Sequence, residues 1–93
     1  MKALIIENED FAANNLKSNL KNIALEIDIV DVCKTAQEAV LSILKHKPEL
    51  IFLDIELDGE VNGIEMLTEF KNIDFKIIFT TSYNHFALAA FRI

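Results

Sequence analysis

Ninety-three residues are enough for one hydrophobic core and too few for two. With 52% hydrophobic and 26% charged residues, the composition excludes a disordered, solvated chain. The net charge of -6, from 15 acids against 9 bases, argues against a nucleic-acid-gripping surface and suits a cationic partner or ligand such as a divalent metal.

Ala3 to Ile6 is a continuous apolar run, followed at once by Glu7-Asn8-Glu9-Asp10. It reads as a buried strand ending in an acidic loop, and it is too short for a signal peptide. Glu9 or Asp10 then opens a helix, where a carboxylate favours the first turn. Ala12, Leu16, Leu20 and Ile23 form its apolar stripe. Alternation over Glu26 to Ile29, continuing through Val30 to Cys33, predicts a second strand at the sheet edge. A lone cysteine cannot close an internal disulfide, so Cys33 is expected to pack as a small apolar residue in a reducing, cytoplasmic setting.

Thr35 and Glu38 have capping-box spacing, and Ala36, Ala39, Val40, Ile43 and Leu44 make the apolar face of the helix that follows. Lys45, His46 and Lys47 lie in its last turn, and Pro48 ends it. Leu50 to Leu53 is a third strand, apolar throughout, with Asp54 at its C-terminal end and Gly59 and Gly63 in the loop beyond. Ile64, Leu67, Phe70 and Ile73 are spaced for another helix, Lys76 to Thr81 for a fourth strand, and Asn84 to Ile93 for a last helix. No run approaches the length of a membrane span, so no membrane partner is expected.

The order βαβαβαβα predicts an α/β fold: a doubly wound parallel sheet with helices on both faces. With the first strand beside the third, strand order 2-1-3-4, the segment Glu7 to Glu9, Asp54 and Thr81 share one edge at the topological switch point. By itself, a strand-terminal Asp54 could bind a cation, act as a nucleophile or cap a loop. Asp10 reads as a helix start. Thr80 and Thr81 also suit a strand by propensity, and only one of the two can face the site. His46 and His85 have no ligand-spaced partners and read as surface or cap residues. Ile77 to Phe79 is too apolar for an open edge. The expectation is a chain truncated before a further strand, or an edge covered by a second copy.

An acidic loop after strand one, a lone Asp after strand three and a hydroxyl after strand four resemble the receiver domain of bacterial response regulators. Leu50 to Ile55, then Gly63-Ile64-Glu65-Met66-Leu67, carry the most specific part of this resemblance. Ile77 to Tyr83 with Phe86 to Phe91 look like receivers that precede LytTR-type DNA-binding domains.

The resemblance implies a flavodoxin-like receiver over residues 1–93, C-terminally truncated, with its fifth strand and last helix absent. It implies that Asp54 is the phosphoacceptor in a Mg2+-dependent reaction. Glu7, Asn8, Asp54 and the backbone carbonyl of Glu56 would be the metal ligands, and the Thr81 hydroxyl would contact the phosphoryl group. The implied partner is a sensor histidine kinase. DNA is reached only through an output domain outside this sequence, and a homodimer through the fourth strand and last helix is a further expectation. Such a module catalyses only its own modification.

Two departures stand out. Asn8 replaces the second acid of the family's pair, and the family's lysine after a fifth strand is not in this sequence. They leave room for an alternative, a phosphorylation-independent interaction or dimerisation module. A phosphatase-like hydrolase with Asp54 as nucleophile and Glu56 as general acid is a third reading, although its nucleophile belongs after strand one.

Overall fold

The apolar runs pair side by side as alternation requires. The computed structural model describes residues 1–23, 26–54, 63–70 and 74–80. Its elements are β1 (Lys2–Ile6), α1 (Asp10–Ile23), β2 (Asp28–Cys33), α2 (Ala36–His46), β3 (Leu50–Leu53), α3 (Gly63–Leu67) and β4 (Lys76–Phe79). The strands form one parallel sheet in the order β2-β1-β3-β4. The last predicted helix, Asn84 to Ile93, lies outside the described residues.

β1 and β3 are buried along both faces, which explains their unbroken apolar sequence. Leu4, Ile6, Ile51 and Leu53 face one core with α2 and α3, joined by Ile77 and Phe79 of β4. Ala3, Ile5, Leu50 and Phe52 face a second core with α1. Within α1 the buried residues are Ala13 and Leu20, with Leu16 partly buried. Ala13 therefore takes the place of Ala12 in the predicted stripe: it stands at i, i+3 and i+7 with Leu16 and Leu20, while Ala12 beside it is only partly buried. The side chain of Ile23 lies outside the described residues.

β2 is an edge strand, as predicted, but it carries a bulge that periodicity did not reveal. Ala3 pairs with Ile29, whereas Leu4 pairs with Asp31, leaving Val30 as the extra residue. The shift turns Asp31 and Cys33 to the α2 side. There the Ser42 hydroxyl donates to Asp31 Oδ2 at 2.8 Å, and the Cys33 thiol approaches the same oxygen at 3.7 Å. Burial works to raise the Asp31 pKa, but the hydrogen bonds from Ser42, the Val32 N–H and Cys33 outweigh it and hold the carboxyl below its ordinary value. Burial, reinforced by the Asp31 charge, pushes the Cys33 thiol up to about 12, so it packs as an inert apolar group.

α2 begins as its sequence predicts. Thr35 Oγ1 accepts from the Glu38 N–H at 3.1 Å, while Glu38 Oε2 accepts from the Lys34 N–H at 3.0 Å, one residue earlier than in the usual capping box. Ala36, Ala39 and Ile43 are buried, but Leu44 is 62% exposed and Ser42 is buried in its stead. The Asp31 hydrogen bond accounts for the buried hydroxyl.

The helix ends on Lys47 at φ 49°, ψ 58°, whose N–H donates to the Ile43 carbonyl at 2.9 Å. Left-handed backbone costs a residue with a Cβ about 1–2 kcal/mol, partly offset on substitution by the extra unfolded-state freedom of glycine. Lys47→Gly is expected to stabilise the fold by about 0.5–1 kcal/mol, seen as a melting temperature higher by about 2–8 °C. An unchanged or lower value would contradict this account.

α3 is shorter than the predicted stripe. After Leu67 the chain tightens through three-residue hydrogen bonds from Thr68, Glu69 and Phe70 to Glu65, Met66 and Leu67. Met66 and Leu67 are buried in the α2–α3 core and Phe70 is packed against it. Ile73 falls outside the described residues.

Candidate functional site

The backbone ladder runs one residue past each inner strand. Ile6, Leu53 and Phe79 are in register. Above them the Glu7 N–H donates to the Cys33 carbonyl at 2.8 Å, the Asp54 N–H to the Ile6 carbonyl at 2.9 Å, and the Thr80 N–H to the Leu53 carbonyl at 2.9 Å. Glu7, Asp54 and Thr80 therefore form one row at the C-terminal edge of the sheet, with Asn8 next in the loop above. This edge is where the strand order reverses around β1 and β3.

Two predicted residues meet directly. The carboxyl groups of Glu7 and Asp54 lie close enough to share a hydrogen bond when Glu7 carries a proton. Burial, then the hydrogen bond to Asp54 and its charge, push the Glu7 pKa from 4.5 up to about 7. The N–H groups of Glu9 and Asn8 pull the other way without reversing the shift. The Glu9 N–H lies 3.4 Å from Glu7 Oε2. Asp10 is paired elsewhere, with Lys34 Nζ at 2.9 Å, in keeping with its reading as a helix start. Glu56 and Thr81 lie outside the described residues. The place of Thr80 in the row is a position the sequence did not distinguish, since only the register reveals it.

Two carboxyls held this closely can share a proton or share a cation. Among the described residues no group of three or more His, Cys, Asp or Glu side chains could hold a metal. Glu7 and Asp54 make a two-carboxylate pair, with the Asn8 amide beside it in sequence. Such an all-oxygen set fits Mg2+, which usually keeps several waters and takes one or two carboxylates.

The shift has a measurable sign. An acid whose pKa is raised on folding stabilises the fold fully below its unfolded value, and that stability is lost as pH rises through the folded value. Without divalent cations, stability is expected to fall between about pH 4.5 and pH 7. The ceiling is about 3 kcal/mol, reduced to about 1–2 kcal/mol by partial solvation of Glu7. Urea denaturation across this range should show the slope, and Glu7→Gln should flatten it. An identical slope in the variant would refute the pairing.

Residues 3–92 match the response regulator receiver domain family. The chain belongs to that family. The receiver is 37% identical over 89 residues to a response regulatory protein of Shewanella oneidensis, covering 95% of this chain and 37% of that protein. It is 33% identical over 96 residues to the sensory transduction protein LytT of Bacillus anthracis, covering 100% of this chain and 38% of LytT. The receiver thus spans under two fifths of either relative. Its backbone superposes on the response regulator domain of Thermotoga maritima CheB with a TM-score of 0.84 at 26% identity, over 99% of this chain and 71% of that one. The predicted strand order 2-1-3-4 is the observed one. Among the described residues no helix is long and apolar enough to cross a membrane.

Proposed function

We propose that residues 1–93 act as a receiver unit that accepts a phosphoryl group on Asp54 from a phosphohistidine of a sensor histidine kinase. The observation that carries this reading is the direct contact of Asp54 with Glu7 at the switch-point edge. An Asp54 carboxylate oxygen attacks phosphorus. The phosphorus–nitrogen bond breaks, its electron pair leaves with the imidazole, and an acyl phosphate remains. Glu7, Asn8, Asp54 and the Glu56 carbonyl would hold Mg2+, which when bound supplies positive charge between two anionic reactants. The Thr81 hydroxyl bonds a phosphoryl oxygen, and the loop that follows changes position with that bond.

The unit modifies itself and turns over no external substrate. It works in the cytoplasm and signals to a partner, including a second copy through β4 and the segment after it. DNA is contacted only through an output domain of the kind that the length of its relatives accommodates.

Incubation with acetyl phosphate and magnesium is expected to add the mass of one phosphoryl group, and excess EDTA to prevent it. No gain under any magnesium concentration favours the phosphorylation-independent module. Repeated turnover of a phosphate ester favours the hydrolase.

Asn8 brings an amide where the family has a charge. Restoring it with Asn8→Asp is expected to tighten Mg2+ about tenfold, equivalent to about 1.4 kcal/mol, the low end for one added charge near the ion. Calorimetric titration checks this, and equal affinities for the two proteins would remove Asn8 from the ligand set.

A further inference from the structure

Away from the phosphorylation edge, two hollows follow one another along α2. The first, of about 320 Å3, lies between α2 and α3 and is lined by Ala36, Val40, Leu41 and Met66, with Gln37 and Glu69 at its rim. The second, of about 430 Å3, opens one helical turn further on among Ile43, Leu44, Phe70 and Phe75. Phe70 and Phe75 are fixed there edge to face, with ring centroids 5.8 Å apart. Leu41 and Leu44 stand between solvent and these hollows, 69% and 62% exposed. They are two of the three most exposed large apolar side chains among the described residues.

Among the described residues that line the hollows the charge is mostly acidic: Glu69, Glu49 and Asp74 against the base Lys47. An isologous contact with a second copy sets this acidic rim against itself, on a chain already at -6. The spacing of the hollows by one turn of α2 matches side chains at i and i+3 or i+4 on an incoming helix.

We propose that the α2–α3 crease docks a cationic amphipathic helix of another protein. Its apolar stripe enters the two hollows over Leu41 and Leu44, and its lysines or arginines meet Glu69, Glu49 and Asp74. The surface lies on the side of the sheet opposite α1 and does not depend on the role of Asp54.

The probe is a short helical peptide with leucines at i, i+3, i+4 and i+7 and lysines elsewhere, beside a glutamate counterpart with the same leucines. Binding to the full chain is read by fluorescence anisotropy and mapped by amide chemical shifts. The lysine peptide is expected to perturb α2 and α3 and to bind at least about tenfold more tightly than the glutamate peptide. Leu41→Ser with Leu44→Ser is expected to weaken it by about tenfold or more. Both positions are exposed, so the doubly substituted chain should keep its fold. Phe11→Ser, which removes an 84% exposed aromatic on α1, should leave the affinity unchanged. Equal binding of the two peptides, shifts centred on α1, or indifference to the double substitution would each overturn the proposal. So would self-association in sedimentation that the double substitution abolishes, since the occupant would then be a second copy.

Discussion

Asp54→Asn is expected to abolish phosphoryl incorporation while leaving the sheet intact. The amide is nearly the size of the carboxylate but has no anionic oxygen to attack phosphorus. The Asp54 N–H to Ile6 bond is made by the backbone and survives the change. The substitution also removes the charge that helps raise Glu7. Glu7 should therefore ionise nearer its ordinary range, and the fall in stability between about pH 4.5 and pH 7 should shrink. Intact-mass measurement after acetyl phosphate and magnesium, together with melting at pH 5 and pH 8, checks both parts. Persistent labelling would place the acceptor elsewhere, and a melting temperature lowered at both pH values would make Asp54 a structural residue.

Ile51→Ala should cost about 2–5 kcal/mol. Domains of this kind have about 5–15 kcal/mol in total, so the loss approaches the stability of the whole fold. Ile51 is fully buried in β3, between Leu4 of β1 and Ile77 of β4, and faces the core shared with α2 and α3. Truncation leaves a cavity at a place where three elements meet and none can move in to fill it. Leu41→Ala, on the exposed side of α2, should stay within about 0.5 kcal/mol. Urea titrations of the two variants make the comparison. A loss under about 1 kcal/mol at Ile51 would show that the core repacks there.

The sheet was legible because its inner strands are apolar on every residue. Ala3 to Ile6 and Leu50 to Leu53 admit no other comfortable arrangement, and parallel order follows from the helices between them. Less legible were features set by one residue of register. The Val30 bulge decides which face Asp31 takes, and hydropathy along β2 changes too little to show it. Ser42 stands outside the apolar face that spacing predicts for α2, and only its Asp31 acceptor explains its burial, while Leu44 has the spacing of that face and is exposed. At the site, position was legible and contact was not. A strand end before an acidic loop marks the edge. That the longer Glu7 side chain reaches Asp54 depends on the shared register of β1 and β3. The parts assigned to Glu56 and Thr81 came from family likeness alone.

The extra residue at Val30 makes β2 a strand with its own reading frame. Exchanging that side chain changes little, because Val30 is only partly buried on an edge. Deleting it would join Ile29 directly to Asp31 in regular alternation, with Ala3 still opposite Ile29 and Leu4 still opposite Asp31, so Asp31 would keep its place under α2 as the acceptor for Ser42. Drift at this one position is therefore free in letters and in length, provided that Asp31 stays opposite Leu4.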